Sequence, residues 1–314
     1  MDGTMPDGTA TPDLSVVIVN YNAGPLLRRC LEALTEEARG ISVEILLVDN
    51  ASVDGSPETV AAFPGVRLIR NRVNVGYAAA NNQGIRLCRG RYILLLNPDA
   101  IVDSGALAAI LGFMVSHPEA GICGPRVVLP DGRLDAPCRR SFKTAGTYLY
   151  KALGLCRLFP RSRVFGRYYL TYLDDGVTHE VDAVLGAFLL IRREVVDRVG
   201  LLDERFFLYC EDEDWCYRAK QAGWKIYYYP AARVLHYKGA CRATRRYRPT
   251  YEWHKALFCF HRKHLAVRYP TLVNAIVYLG MAVSLAASLA LCAARAATRT
   301  MLGRPRHPAL VGTR

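Results

Sequence analysis

Short apolar runs alternate with amphipathic stretches along the first part of the chain. Four of these runs predict buried strands, at Leu14 to Val19, Val43 to Val48, Val66 to Ile69 and Tyr92 to Leu96. Helical spacing is seen between and after them, at Leu26 to Leu34, Pro57 to Phe63, Ala78 to Cys88 and Ser104 to Val115. Strands that alternate with helices predict an α/β protein with a mostly parallel sheet, covered by helices on both faces. Further along, Val181 to Ile191 is apolar and Lys225 to Tyr229 is another predicted strand.

Polar side chains follow all four predicted strands. The residues at these strand ends are Asn20 and Asn22, Asp49 and Asn50, Asn71, and Asn97 and Asp99. Open parallel sheets bind ligands in the crevice beyond the carboxyl ends of their strands, so the pattern predicts a ligand site at this edge. Helix capping or turn formation would explain any one of these residues, but it is a weaker explanation for four strand ends in succession.

The charge is unevenly distributed along the 314 residues, whose formal net charge is +13. Residues 1–138 carry 11 basic and 15 acidic side chains, whereas residues 139–314 carry 30 and 13. A basic second half suits a protein that binds nucleic acid, anionic lipid or phosphorylated ligands. The 10 cysteines form no CxxC pair, which argues against a zinc ribbon. The polar N-terminus lacks the features of a standard signal peptide.

Two groups of carboxylates are candidates for chemistry. Asp99, in Asn97-Pro98-Asp99, could bind a hard divalent cation shared with a substrate phosphate, although the same tripeptide is an ordinary turn sequence. The second group is Glu211 to Asp214, which either begins a helix or holds a general base. Four adjacent carboxylates repel one another, so we expect an adjacent cation or a raised pKa. His236 follows a strand-like segment and is a candidate third metal ligand.

Two basic segments occupy the second half. Residues 139–170 are basic and aromatic without an acidic side chain, and we expect a loop or short helices near the surface that could hold acceptor phosphates. Residues 271–294 form an uncharged run with basic residues on both sides. A run of this length can span a bilayer, and we expect a helix that lies at or enters the membrane; a buried amphipathic helix is the alternative.

Seven ordered motifs make the chain resemble the inverting family-2 nucleotide-sugar glycosyltransferases, especially their rhamnosyltransferase-like branch. They are SVVIVNYN at 15–22, LLVDNASVDGS at 46–56, NVGYAAANNQGI at 74–85, LLLNPDA at 94–100, GAFLLIRRE at 186–194, FFLYCEDEDWCYRAKQAGW at 206–224, and the later Pro230, His236 and Gly239. The resemblance runs from about Leu14 to His264. It implies a GT-A fold, a Rossmann-like sheet whose first half binds the donor and whose second half binds the acceptor.

The resemblance also implies roles for individual residues. Those expected to bind the nucleotide sugar are Asn20, Asn22, Asp49, Asn50, Asn74, Gly76, Asn81, Asn97 and Asp99. Asp99 and His236 would hold a divalent cation, Mg²⁺ or Mn²⁺, and Asp212 would be the catalytic base. Gly186, Glu211, Asp214 and Trp215 would bind the acceptor. The first acidic position of the family's DxD element is Asn97 here, which weakens the case for two carboxylates on the cation.

These expectations combine into one functional hypothesis. The chain is expected to transfer a sugar, with rhamnose from TDP-rhamnose as the best single choice, to a lipid-linked or cell-envelope glycan at the cytoplasmic face of the membrane. The expected segments are a disordered tail (1–13), a donor half (14–138), an acceptor half (139–268) and a membrane-associated helix with a basic tail (269–314). One alternative is a nucleotidylyltransferase, but the sequence lacks the glycine-rich basic loop that such an enzyme needs after its first strand. The other is a nucleic-acid-binding protein, a function that would not explain the acidic cluster.

Overall fold

A mixed sheet with helices on both faces forms the body of the computed structural model, which describes residues 11–239 and 247–301. The strands are β1 (Leu14–Asn20), β2 (Val43–Asp49), β3 (Val66–Arg70), β4 (Tyr92–Leu96), β5 (Ala100–Val102), β6 (Ala120–Val128), β7 (Arg139–Arg140), β8 (His179–Glu180), β9 (Ala183–Val184), β10 (Phe188–Arg192) and β11 (Lys225–His236). The helices are α1 (Pro25–Glu37), α2 (Tyr77–Ile85), α3 (Ala106–Ser116), α4 (Ala145–Ala152), α5 (Leu155–Leu158), α6 (Arg193–Val199), α7 (Glu211–Gln221), α8 (Arg248–Phe260) and α9 (Thr271–Met301). The stretch predicted as a helix at 57–63 forms a 3₁₀ helix, Ser56–Ala62.

The order of the main sheet is β3-β2-β1-β4-β10-β6-β11-β5, with β8 paired to β11. The four strands from the first part of the chain are parallel, as predicted. The sheet becomes mixed at β10, which is antiparallel to both β4 and β6. Phe188 at the start of β10 lies opposite Leu96 at the end of β4, so the chain enters β10 from the edge where β4 ends. This brings Gly186 to the same edge as Asn97.

Alternation along β1 explains why its whole length is buried. Leu14, Val16 and Ile18 face the core under α1 and α3, whereas Val17 faces the opposite core under α2. The polar strand ends follow directly where these two cores stop. The edge of the sheet therefore carries the side chains that neither core can accept without hydrogen bonds.

The end of the described chain forms a helical pair, α8 and α9, against a third apolar cluster. Leu257 and Phe260 of α8 pack there with Phe206, Tyr217 and Met281. The segment Thr271–Ala294 of α9 is long and apolar enough to cross a membrane by length and composition. Residues 1–10 of the predicted disordered tail and residues 302–314 of the predicted basic tail lie outside the described residues.

Candidate active site

A cavity of about 410 Å³ opens at the predicted edge of the sheet. It is bordered by the ends of β1, β2 and β4, by the start of α7 and by the start of α8. Of the predicted site residues it is lined by Asn50, Asn74, Asn97, Asp99, Gly186, Glu211, Asp212 and His236. Residues from strand ends far apart in the sequence therefore meet in one cavity.

Other predicted site residues lie behind the cavity wall. Asn20 is buried and donates to Asp49 Oδ1 at 2.9 Å, and Asn22 Oδ1 accepts a hydrogen bond from the backbone of Val53 at 2.8 Å. Asn81 donates to the carbonyl of Tyr77, one helical turn earlier. Inside α7, Trp215 Nε1 donates to the carbonyl of Gly200 and Asp214 is fully buried. The first three side chains brace the strand ends and α2, and the two acceptor-binding candidates stabilise α7.

Asn50 organises the loop that forms one wall of the cavity. Its Nδ2 donates to Asn74 Oδ1 at 3.1 Å and to the Gly76 carbonyl at 3.2 Å, while its Oδ1 accepts from the Val75 backbone at 3.0 Å. Gly76 has a φ of +96°, and a Cβ there would lie 2.7 Å from Phe207. Only glycine allows this close approach between the loop and the segment before α7.

Tyr77 links the two halves of the site, although it is not among the predicted site residues. Its hydroxyl lies 3.0 Å from Asn97 Oδ1 and 2.9 Å from the Gly186 carbonyl. Burial, with a smaller effect from Glu211, raises the pKa of Tyr77 far above its usual value. The phenol therefore keeps its proton and holds β4 and the start of β10 together. Its position directly after Gly76 in the NVGY motif is the signal that could have identified it.

Asp99 and His236 lie next to each other in the cavity lining. His236 Nε2 lies 3.3 Å from Asp99 Oδ1, and Nδ1 lies 3.3 Å from Asp135 Oδ2. Lys238 binds the other oxygen of Asp135 at 2.6 Å. Burial alone would lower the pKa of His236, but hydrogen bonds to Asp135 and Asp99 raise it to about 9. Asp135 thus fixes the ring with Nε2 towards Asp99, a role that no sequence motif indicated.

A carboxylate oxygen and a neutral imidazole nitrogen are ligands for Mn²⁺ or Mg²⁺, so Asp99 and His236 fit such an ion in part, provided that the ion displaces the proton of His236 Nε2. No set of three His, Cys, Asp or Glu side chains that could hold a metal is found within residues 11–239 and 247–301. Asp99 and His236 would therefore share such an ion with oxygens of a bound ligand. A diphosphate supplies oxygens of this kind.

Buried cations relieve the expected repulsion within the acidic cluster. Arg140 Nη2 donates to Asp212 Oδ2 at 2.7 Å, and the Gly186 backbone donates to the same oxygen at 2.9 Å. Lys143 forms an ion pair with Glu213, which is fully buried. The prediction that the basic segment lies near the surface is wrong for Arg140 and Lys143, because each is needed to compensate a buried carboxylate.

Asp214, deeper in α7, is compensated in the same way from other directions. Arg218 Nε lies 2.8 Å from its Oδ2, while Lys263 Nζ and His264 Nε2 each lie 2.6 Å from Oδ1. Three charged or polar partners thus surround one carboxylate with no exposed surface. These contacts fix α7 against the segment that follows α8.

Glu211 differs from the rest of the cluster. It lines the cavity, yet its Oε2 is buried and has no hydrogen-bond partner within residues 11–239 and 247–301. Burial and the neighbouring Asp212 raise the pKa of Glu211 to about 8, so the side chain is neutral near pH 7. The cluster therefore presents two acidic side chains to the same cavity: Asp212, which Arg140 holds in place, and Glu211, whose carboxyl group is protonated.

Helix α8 forms another part of the cavity wall. Arg248, Pro249, Glu252 and Trp253 line it there. The guanidinium of Arg248 lies 4.1 Å from the centre of the Phe207 ring, a cation–π distance that fixes the rim. A second cavity of about 260 Å³ shares Trp253 with the first and reaches Ser284 of α9.

Comparison of the sequence with known proteins identifies relatives of this chain. The model of the family described as glycosyl transferase family 2 matches residues 15–200. The chain is 34% identical, over 73% of its length and 77% of the relative's, to N-acetylglucosaminyl-diphospho-decaprenol L-rhamnosyltransferase of Mycobacterium tuberculosis. It is 24% identical to the rhamnosyltransferase WbbL of Escherichia coli, over 71% of its own length and 82% of that protein.

The fold also resembles solved structures. The mannosyltransferase PcManGT from Pyrobaculum calidifontis, in complex with GDP-Man and Mn²⁺, superimposes with a TM-score of 0.54 at 19% identity. The match covers 96% of this chain and 83% of that one. The predicted GT-A architecture is thereby confirmed.

Proposed function

The chain belongs to glycosyl transferase family 2 and is a glycosyltransferase, and we propose that it transfers L-rhamnose from TDP-rhamnose to a lipid-linked N-acetylglucosaminyl diphosphate. The observation that carries the proposal is the meeting of Asp99 with His236 and of Asp212 with Arg140 in one cavity. The identity to the mycobacterial rhamnosyltransferase supports the choice of sugar and acceptor.

The donor is assigned to the side of the cavity formed by the strand ends. Asn50, Asn74 and Asn97 offer amide groups that can bind the base and the ribose of the donor. The diphosphate, which is attached to the ribose, is assigned to Asp99 and His236. A divalent cation bound there would neutralise the charge of the nucleoside diphosphate as it leaves. Asn97 contributes a neutral oxygen in place of a second carboxylate.

Asp212 is assigned as the proton acceptor. A hydroxyl of the acceptor sugar attacks the anomeric carbon from the face opposite the diphosphate, and its proton passes to Asp212. A new carbon–oxygen bond forms while the bond to the diphosphate breaks, and its electron pair stays with the diphosphate. One displacement inverts the configuration and needs no covalent intermediate.

Arg140 and Gly186 hold the proton acceptor in place during this step. Both donate to Oδ2 of Asp212, and the Glu213 backbone donates to Oδ1 at 2.7 Å. The carboxylate is therefore oriented before the acceptor binds, which limits the reorganisation required in the transition state. Neutral Glu211, beside it, can donate a hydrogen bond to an acceptor oxygen.

A donor panel tests the proposal. The purified chain is incubated with Mg²⁺ or Mn²⁺, a synthetic N-acetylglucosaminyl diphosphate lipid and one of several nucleotide sugars, including TDP-rhamnose and UDP-galactofuranose. We expect TDP and a rhamnosylated lipid as products, with an inverted anomeric centre by NMR. Release of pyrophosphate would indicate a nucleotidylyltransferase instead, and transfer from another donor only would contradict the assignment of rhamnose.

A further inference from the structure

Helix α9 is attached along α8 and along the π-helical turn that follows α8, His261–Leu265, over most of its apolar length. Asn274 Oδ1 accepts a hydrogen bond from His261 Nε2 at 2.8 Å, and Ser284 Oγ lies 3.1 Å from His254 Nε2. Further along, the sulfur of Cys292 lies 3.7 Å from the hydroxyl of Thr250. From contact to contact the residue numbers increase along α9 (274, 284, 292) and decrease on the partner segment (261, 254, 250). The two helices are therefore antiparallel.

The opposite side of α9 is exposed and apolar. Its large exposed residues are Leu272, Ile276, Leu279, Val283 and Leu291, each between 58% and 72% exposed. Spacings of three, four and eight residues place them on one face, away from the face that contacts α8. Residues 271–294 include no charged side chain. Exposed apolar surface of this extent marks a site of interaction.

The flank of α8 next to α9 has a different composition. Tyr251, Lys255 and Arg262 each follow by one residue a side chain that contacts α9, so they point about 100° away from that helix. All three are exposed, and Phe258 on the same stripe is 38% exposed. Aromatic rings and long basic side chains beside an apolar face are the composition of a surface at the boundary between lipid and water.

We propose that the α8–α9 pair is the surface by which the protein lies on an anionic bilayer, with α9 in the interface and not across the membrane. At 1.5 Å per residue, 24 residues are long enough to cross about 30 Å of hydrocarbon. The contacts with α8 decide against crossing. A spanning α9 would either lose them or carry Glu252, His254 and Lys255 of α8 into the hydrocarbon.

The charge of α8 and of the π-helical turn after it selects the kind of lipid. Lys255 and Arg262 are exposed on the surface proposed to lie on the bilayer, and residues 255–268 contain no acidic side chain. Basic side chains next to an apolar face favour a negatively charged leaflet over a zwitterionic one. An anionic phospholipid surface therefore complements both parts of the pair.

The inference rests on the proposed function for its biological purpose, because α8 also lines the catalytic cavity. Trp253 faces the cavity, and the second cavity connects its surroundings with Ser284 of α9. One helix thus separates the site of transfer from the bilayer. A lipid-linked sugar would reach the cavity without leaving the membrane.

Vesicle flotation of the full chain tests the proposal. We expect binding to phosphatidylcholine vesicles that contain phosphatidylglycerol, weaker binding to phosphatidylcholine alone, and release from native membranes by alkaline carbonate. Replacing Leu272, Ile276 and Leu279 by serine should reduce partitioning by about tenfold or more. The matched control replaces Val115, Leu158 and Val164, which are 53% to 70% exposed elsewhere on the protein, and should bind as the unaltered chain does.

A second variant covers the case in which the serine variant does not fold. Lys255→Glu combined with Arg262→Glu should lower binding to anionic vesicles and leave binding to phosphatidylcholine unchanged. Hydrolysis of the donor in the absence of lipid should proceed at the normal rate in every variant. If the unaltered chain itself shows no hydrolysis, the result contradicts the proposed function and leaves the interfacial assignment unaffected. Resistance to carbonate, absence of vesicle binding, or a dimer in solution that the α9 variant abolishes would each overturn the interfacial assignment.

Discussion

Arg140 donates a hydrogen bond of 2.7 Å to Asp212 across 72 residues of sequence, and both side chains are at least nine-tenths buried. Burial alone would lower the pKa of Arg140, but Asp212 and other acidic neighbours raise it well above its usual value. The guanidinium therefore stays charged. A permanent cation fixes one oxygen of the proposed proton acceptor in place.

Replacing Asp212 by asparagine should lower turnover by about 10²-fold to 10⁴-fold, because the amide keeps the shape but cannot accept the proton. Donor binding should be nearly unchanged, since the donor is assigned to the strand ends. Release of nucleoside diphosphate measures the first effect and calorimetric titration with the donor the second. Asp131→Asn, at an exposed ion pair, is the control. Turnover close to normal would remove Asp212 from the mechanism.

Replacing Arg140 by methionine should destabilise the fold by about 3–5 kcal/mol, because it leaves the Asp212 carboxylate buried without its cation. Arg133→Met, which breaks an exposed pair with Asp131, should cost less than about 1 kcal/mol. Urea unfolding measures both. Combining Arg140→Met with Asp212→Asn should recover part of the loss. Additive losses would mean that the two groups are not coupled.

Replacing Asp135 by asparagine should weaken Mn²⁺ binding in the presence of nucleoside diphosphate by about 10-fold to 100-fold, because His236 loses the partner that orients its ring. Asp99→Ala should weaken it further by removing a ligand. Electron paramagnetic resonance of free Mn²⁺ reports binding without turnover. Asp103→Asn, in an exposed pair with Arg233, is the control. Equal Mn²⁺ affinity in Asp135→Asn would contradict the positioning role.

The parts of the site that the sequence predicted are those with local signals. Four apolar runs end in amides or acids, and the ends of β2 and β4 supply Asn50, Asn97 and Asp99 to the cavity. The sequence predicts that these residues share one edge of the sheet, because parallel strands have their carboxyl ends on the same side. The acidic cluster also gave a local signal, since its own repulsion required the compensation that is found.

The parts that the sequence did not predict depend on contacts between distant segments. Residues 139–143 have the composition of a solvated basic loop, and nothing nearby in the sequence indicates that Arg140 and Lys143 meet carboxylates about 70 residues later. Asp135 likewise follows β6 in a turn and meets His236 only through the pairing of β6 with β11. Such pairs follow from topology, which periodicity and composition do not determine.

Replacing Gly76 by alanine should weaken donor binding and destabilise the fold by about 2–4 kcal/mol, because the new methyl group would lie 2.7 Å from Phe207 at a φ of +96°. Gly105→Ala is the matched control: its φ is +75°, but no atom of the part of the chain that the structure describes lies within 4 Å of the added carbon. It should cost only the backbone strain, about 1–2 kcal/mol. Urea unfolding and the thermal shift with donor distinguish the two. Equal losses would mean that the contact with Phe207 is adaptable.

Glu211 should make the stability of the protein fall as the pH rises. Its pKa is 4.5 without the fold and about 8 within it, so between these values the folded chain keeps a proton that the unfolded chain has lost. The free energy of unfolding then decreases by up to about 1.4 kcal/mol per pH unit from this group, until both forms are ionised above pH 8.

Glu211→Gln tests this linkage because the amide resembles the protonated carboxyl group at every pH. Urea unfolding at pH 4, below both pKa values, should give similar stabilities for the two proteins, whereas at pH 9 the variant should be the more stable one. Glu204→Gln, at an exposed ion pair with Arg86, should follow the unaltered chain at both values. If Glu211→Gln loses stability in parallel with the unaltered chain, Glu211 is already ionised in the fold, and the cavity holds two adjacent carboxylates instead of one.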